Sequence, residues 1–174
     1  MFRSLSFVVL GLCFGLLQGC AAPPMNFSVE NVEPVHQKVE AELKSVNVMW
    51  GKSDELVGSV PSDWNTDITQ AWTTALTDAV DRAAIFQDDA SKKMTLSVRI
   101  LELDPPGMGI TMVTDTTARY DLIDRSTGKT VRSEVIKSKG EVPMGYSFYG
   151  YKRAVESINR SVQKNIEKFL FVFE

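Results

Sequence analysis

Two stretches of the sequence repeat hydrophobic residues at three- and four-residue steps, and this spacing constrains the fold more than any other feature of the chain. The first stretch predicts an amphipathic helix over residues 67–84, and the second predicts a helix that runs from just after residue 151 to the C-terminus. Each predicted helix has one apolar face, which must pack against another layer of the protein. The rest of the chain has to supply that layer.

A β-sheet is the predicted partner layer. Alternating apolar and polar residues indicate four strands, at residues 39–50, 94–103, 110–124 and 130–138. Leu101 shifts the phase of the second strand, which indicates a bulge, and Gly128 allows the positive φ that closes a hairpin between the last two strands. The order is β-α-β-β-β-α. We therefore expect an α+β domain with an antiparallel sheet of about four strands and two helices packed on one face.

The first residues have the architecture of a secretory signal peptide. Arg3 and the free amine give a positive start, and residues 5–17 form an almost unbroken apolar run. This run is shorter than the roughly 20 residues that a membrane-spanning helix needs. An uncleaved membrane helix is the weaker alternative, because Gly11 and Gly15 interrupt the run and Pro23 and Pro24 follow it.

The signal ends in the residues Leu-Gln-Gly-Cys at positions 17–20, which resemble the lipobox of bacterial lipoproteins. The resemblance implies that the Cys20 sulfur carries a diacylglycerol, that its amine is acylated after cleavage, and that this lipid holds the mature chain at a membrane. Ala21 resembles the residue found in lipoproteins sorted to the outer membrane, on the periplasmic face. The alternative is an ordinary cysteine beside a conventional cleavage site after Ala21 or Ala22.

These patterns divide the chain into three parts. Residues 1–19 are the predicted lipoprotein signal peptide, residues 20–38 are the lipidated cysteine and a tether, and residues 39–174 form a single periplasmic α+β domain. The tether is predicted because residues 21–34 mix prolines and asparagines with few apolar residues.

Charge and cysteine content exclude several functions. The chain has 19 basic and 22 acidic side chains, and Arg3 is the only one of them in the signal peptide. A mild acidic excess argues against binding to nucleic acid, which requires a basic surface. Cys13 leaves with the signal peptide and Cys20 is the predicted lipid site, so no thiol remains for a disulfide, a zinc site or nucleophilic attack.

The remaining residues offer little for catalysis. His36 is the only histidine and falls in the predicted tether, and no nucleophile-elbow or phosphate-loop motif is present. The carboxylate pairs Asp88–Asp89 and Asp121–Asp124 could serve as acid and base or hold calcium, but they lack a calcium-loop pattern and are more typical of solvated turns. We expect no enzyme activity, no cofactor and no metal.

The stretch 139–151 is the best candidate for a binding surface. It places Tyr146, Phe148, Tyr149 and Tyr151 among glycines and a proline. Tyrosine combines a large contact area with a polar tip, which is why it is enriched at interfaces. The alternative interpretation is that these aromatic residues cover the open end of the sheet and hold the last helix in place.

The element order and the lipobox together resemble small Gram-negative envelope lipoproteins, including YajG-like and LptE-like proteins. The turn at 124–129 and the ending at 165–170 are similar to those of a group of proteobacterial lipoproteins. The resemblance implies a non-enzymatic accessory or binding module for cell-envelope assembly, transport or maintenance, with an envelope protein as partner. The alternative function is a lipid- or glycan-binding protein that uses a pocket between helices and sheet, lined by Trp72, Met112 and Tyr120.

Overall fold

The computed structural model describes residues 24–36, 38–61 and 65–173. The predicted signal peptide and Cys20 lie outside these ranges. Four strands and two helices follow one another in the predicted order: β1 Glu42–Trp50, α1 Asn65–Arg82, β2 Lys93–Asp104, β3 Met112–Asp124, β4 Thr130–Val142 and α2 Gly150–Leu170. Two short 3₁₀ helices, Met144–Tyr146 and Phe171–Phe173, flank α2 and are additional to that order.

The sheet is mixed, with the strand order β1-β2-β3-β4. The antiparallel prediction is confirmed for β2 with β3 and for β3 with β4, and it is wrong for β1, which runs parallel to β2. The cause is α1, which carries the chain back along the sheet, so that β2 starts at the same end as β1. A strand, helix, strand unit therefore opens the domain, and antiparallel hairpins complete it.

Two local predictions are confirmed. The pairing of β2 with β3 shifts register between Ile100 and Glu102, which places a bulge at Leu101. Gly128 has a φ of 69°, and its N–H donates to the Asp124 carbonyl at 2.8 Å, which closes the hairpin between β3 and β4.

The main hydrophobic core lies between the sheet and both helices. Most buried residues of α1, α2, β2 and β3 form this cluster, and Ala41, Met94 and Leu122 form a smaller second one. The largest members of the main cluster include Trp72, Leu76, Ile100, Tyr120 and Ile166. Along β2, Met94, Leu96, Val98 and Ile100 are buried and the residues between them are half-buried. This alternation shows that both helices cover the same face of the sheet, as predicted.

The N-terminal segment packs against the domain. Phe27, Val29 and Val35 are buried in the core cluster, and the Val35 N–H donates to the Ala83 carbonyl at 2.9 Å. Residues 24–36 therefore belong to the folded body, and the free tether predicted for them is wrong over this range. The sequence misled because prolines and asparagines separate a few apolar residues, and those residues fill the space beside α1 and α2 only in the folded protein.

A narrow polar seam joins α2 to the sheet. The helix–sheet seam consists of buried residues of α2 and of the strands that face it: Ser157, Ser161, Asn165, Thr114, Thr116, Ser138 and Gly140. Thr114 Oγ1 lies 2.7 Å from Ser157 Oγ, and Ser161 Oγ donates to Thr116 Oγ1 at 2.7 Å. A Cβ on Gly140 would lie 2.0 Å from the Ser157 carbonyl oxygen, so the helix approaches β4 at the distance that only glycine permits.

Basic side chains of α2 cap the outer edge of β4. Arg160, Lys164 and Lys168 follow each other at four-residue steps along the helix, and each donates to a β4 carbonyl, of Glu141, Lys139 and Lys137 respectively. An exposed edge strand invites pairing with another chain unless its backbone groups are occupied. These contacts make the β4 edge a poor site for strand addition.

Candidate interaction surface at the loop end

Two loops meet at the end of the domain where β2 and β4 finish. We call this region the loop end and define it as residues 105–111, between β2 and β3, with residues 143–151, from the end of β4 into the first turn of α2. Both loops carry large apolar side chains in water. The exposed members are Met108, Ile110, Met144, Tyr146, Phe148, Tyr149 and Tyr151.

The tips of the two loops protrude furthest. Met108 is 103% exposed and Phe148 is 93% exposed. Sequence analysis identified the four aromatic residues but missed Met108, Ile110 and Met144, and it predicted Ile110 as the start of a strand. The available signal was a set of apolar residues inside a turn rich in proline and glycine, where polar residues are the usual choice.

A buried arginine holds the two loops together. Arg153 is only 6% exposed, and its Nη1 donates to the Ser147 carbonyl at 2.7 Å. Its Nη2 donates to the Gly109 carbonyl of the other loop at 3.2 Å. A buried cation requires compensating contacts, and here carbonyl dipoles provide them. Arg153 Nε is also buried and has no hydrogen-bond partner among the described residues.

The aromatic side chains contact one another and nearby cations at the surface. The rings of Tyr149 and Tyr151 have centroids 6.1 Å apart, and the Lys152 ammonium lies 5.4 Å from the Tyr149 centroid. The Arg160 guanidinium lies 5.3 Å from the centroid of Tyr146. All four rings are exposed to solvent, and both their role in binding and the alternative interpretation stay predictions.

The three residues of the predicted pocket do not line one site. Trp72 and Tyr120 are buried in the core, whereas Met112 lies eight residues from Tyr120 along β3, roughly 26 Å away at the rise of a strand. Met112 packs instead beside Gly150, at the loop end. The ligand-binding role of these residues stays a prediction that the geometry does not favour.

Tyr120 has a structural environment. Its hydroxyl donates to Asn165 Oδ1 at 2.8 Å, and its ring stacks on Phe169 with centroids 4.3 Å apart. Burial raises the pKa of the Tyr120 hydroxyl above its ordinary value, so the group stays neutral. Trp72 lies near the Tyr120 hydroxyl and partly offsets the rise in its pKa. Trp72 Nε1 is buried, and no described residue meets hydrogen-bond geometry with it.

A cleft of about 380 Å³ lies at the C-terminal end of α1, beside the start of β1. Polar and charged residues line much of it, including Lys38, Glu42, Asp81 and Asp88. Burial, followed by the neighbouring Asp78 and Asp88, raises the pKa of Asp81. Within the described ranges, no group of three or more His, Cys, Asp or Glu residues is placed to hold a metal ion.

The described part of the chain contains no helix that combines the length and hydrophobicity needed to cross a bilayer.

Comparisons with known proteins support the fold. No family model matches the chain, and no curated protein matches it in sequence. Among solved structures, protein XCC0632 from Xanthomonas campestris, of the DUF330 family, is similar over 87% of this chain and 95% of its own, with a TM-score of 0.59 and 13% identity. At that identity the similarity shows a shared fold and nothing about a shared activity.

More distant structures include lipoproteins. A minor lipoprotein from Acinetobacter baumannii is similar over 78% of this chain and 92% of its own, with a TM-score of 0.46 and 12% identity. Lipoprotein GNA1162 from Neisseria meningitidis is similar over 58% of this chain and 82% of its own, with a TM-score of 0.37 and 10% identity.

Proposed function

We propose that this chain is a lipoprotein, anchored through Cys20 on the periplasmic side of the outer membrane, and that it acts as a non-enzymatic accessory module in cell-envelope assembly, transport or maintenance. The observation that carries the proposal is the loop end, an exposed apolar surface mounted on a rigid domain. Monomeric soluble domains rarely leave large apolar side chains clustered in water unless the cluster binds something.

The geometry of the loop end supports a binding role over a structural one. Phe148 and Met108 contribute almost nothing to the core, since their side chains lie in solvent. Arg153 nevertheless fixes the loops that carry them through backbone carbonyls on both sides. Loops that are already held in position lose little conformational entropy when a partner binds.

The partner that we propose for the module is an envelope protein, as the sequence resemblance implied. The alternative of a lipid or glycan bound between helices and sheet has no specific observation in its favour, because Trp72 and Tyr120 are close-packed and Met112 lies elsewhere.

The test starts from the full-length chain with a C-terminal tag, expressed in a Gram-negative host. Mass spectrometry of the purified protein should find acyl chains on Cys20, and Cys20→Ala should release the protein from the membrane fraction. Crosslinking in cells followed by affinity purification should then recover a defined envelope component. A Phe148→Ser variant should recover less of that component, because a loop end without its apolar tip no longer holds the module in place, while Phe171→Ser, which changes a 63% exposed phenylalanine beyond the C-terminal end of α2, should leave the recovery unchanged.

Two results would contradict the proposal. An unmodified Cys20 in a protein that stays in the soluble fraction would remove the anchor. Equal recovery from the Phe148 and Phe171 variants would show that the loop end has no part in bringing the module to that component.

A further inference from the structure

The inference in this section rests on the proposed lipid at Cys20 and concerns what the loop end touches. It starts from the direction of the N-terminal segment. The Asn26 N–H donates to Asn159 Oδ1 at 3.0 Å, and Gln163 Nε2 donates to the Asn26 carbonyl at 3.0 Å. Since Asn159 precedes Gln163 in α2, the described chain runs from Asn26 toward Pro24 in the direction of the first turn of α2. That turn borders the loop end.

The length of chain that remains is short. Five residues lie between Cys20 and Asn26, and the six steps from one to the other span at most about 22 Å when the chain is fully extended. Along α2, the nine steps from Asn159 back to Gly150 cover about 14 Å. A lipid on Cys20 would therefore keep the domain close to the bilayer, with the loop end within its reach.

The chemistry of the loop end matches the bilayer interface. Phe148, Met108 and Ile110 are apolar tips of the kind that enter the boundary between headgroups and acyl chains. Tyr146, Tyr149 and Tyr151 have amphipathic rings, which are enriched at headgroup level. Lys152 lies beside Tyr149, so a cation accompanies the rings where lipid phosphates would be, whereas Arg160, beside Tyr146, already pairs with Glu156.

The shape of the surface also favours a bilayer. The two most exposed side chains, Met108 and Phe148, belong to separate loops and lie almost entirely in solvent, so both can enter the boundary of a bilayer together. We propose that, in the lipidated protein, the loop end contacts the headgroup region of the membrane and forms a second attachment beside the acyl chains. The domain then stands with its strands directed toward the bilayer, and the cleft near Asp81 and Asp88 faces away from it.

The experiment uses the lipidated mature protein in vesicles of phosphatidylethanolamine and phosphatidylglycerol. An environment-sensitive fluorophore is attached at Phe148→Cys and, as the matched control, at Phe171→Cys. Both phenylalanines are exposed, and a lipidated Cys20 has no free thiol to compete for the label. We expect the label at 148 to shift its emission to shorter wavelength on reconstitution and to be quenched by nitroxide-bearing lipids. The label at 171 should show neither change and should be quenched by aqueous iodide.

Each other outcome is informative. If mass spectrometry finds Cys20 acylated and both labels remain open to iodide, the membrane contact is wrong while the anchor stands. If the label at 148 is shielded in native membranes but not in reconstituted vesicles, a protein occupies the loop end and the bilayer inference is overturned. If Cys20 carries no lipid, the proposed function and this inference fail together.

Discussion

The helix–sheet seam and the loop end distribute polar and apolar groups in opposite ways. In the seam, hydroxyl and amide groups are buried, and Asn165 alone accepts from Tyr120 and donates to Ser138 Oγ at 2.9 Å and to the Ile136 carbonyl at 3.1 Å. At the loop end, phenylalanine, methionine and tyrosine side chains lie in water. The seam satisfies its polar groups internally, while the loop end leaves most of its apolar surface exposed to solvent.

The comparison separates stability from function. Substitutions in the seam should destabilise the protein. They either leave buried polar groups without partners or introduce atoms where no space exists. Removal of a side chain at the loop end should leave stability unchanged and affect only binding. Arg153 lies between these cases, because it is buried and yet serves the exposed loops.

Gly140→Ala should have the largest effect on stability. The new methyl group would lie 2.0 Å from the Ser157 carbonyl oxygen and 2.5 Å from the Ser161 nitrogen, so α2 must move away from β4. We expect a loss of about 3 kcal/mol in the free energy of unfolding, measured by urea denaturation. The matched control is Gly145→Ala at the loop end, where nothing lies within 4 Å of the added Cβ. If the two variants were equally stable, the close approach of helix and sheet would be wrong.

Asn165→Ala should cost slightly less, about 2–3 kcal/mol, because the buried Tyr120 hydroxyl and the Ile136 carbonyl would lose their partner. Tyr120→Phe removes one of these bonds and should cost about 1 kcal/mol. The double variant, measured by the same urea titration, should be less destabilised than the sum of the two single variants. Strict additivity would mean that the two side chains are not coupled.

Arg153→Met should act mainly on the loops. The methionine keeps the buried aliphatic stem but loses the bonds to the Ser147 and Gly109 carbonyls. We expect about 1 kcal/mol of lost stability and clearly faster amide hydrogen exchange in residues 105–111 and 143–149. Lys152→Met, on an exposed neighbour, is the control and should leave exchange in both loops unchanged. Unchanged exchange in the Arg153 variant would show that the loops hold their positions without it.

Phe148→Ser should change the free energy of unfolding by less than about 0.5 kcal/mol, because the side chain makes almost no internal contact. Thermal and urea unfolding would both detect a larger loss. A marked destabilisation would mean that the loop end helps to fold the protein and is not a free contact surface.

The smallest expected effect concerns pH at the open face of the sheet. Glu55 accepts from the Lys52 N–H at 2.9 Å and from Arg119 Nη2 at 2.6 Å, and these contacts lower its pKa from 4.5 to about 2. A pKa below the unfolded value means that the stabilisation is complete above about pH 4.5 and is lost as the pH falls toward 2. The free energy of unfolding should therefore fall slightly less steeply between pH 4.5 and 2 in Glu55→Gln, because glutamine does not titrate. An identical profile in both proteins would show that this contact adds nothing.

Periodicity predicted most of the elements because local patterns determine them. The spacing of apolar residues located both helices, and the phase shift at Leu101 located a bulge that is present. The direction of β1 was missed because alternation identifies a strand but carries no information on its direction. That direction depends on where α1 returns the chain, which is a property of the whole fold.

The candidate surface was only partly predictable for a related reason. The four aromatic residues of one loop can be recognised in the sequence. Their proximity to the loop that carries Met108 and Ile110 cannot, because it depends on β2 and β4 ending at the same end of the sheet. The role of Arg153 was hidden, because a charged residue in the first turns of an amphipathic helix is typical of a solvated position. Only the folded chain brings the Gly109 and Ser147 carbonyls to its guanidinium.

Site-specific photocrosslinking in living cells tests the central claim most directly. A benzophenone side chain would replace Phe148 in one strain and Phe171 in another, and the crosslinked products would be identified by mass spectrometry. The account predicts adducts with membrane phospholipid or an envelope component at position 148 and none at position 171. Equal yields at the two positions, or adducts at 171 alone, would contradict the claim that the loop end is the contact surface of this protein.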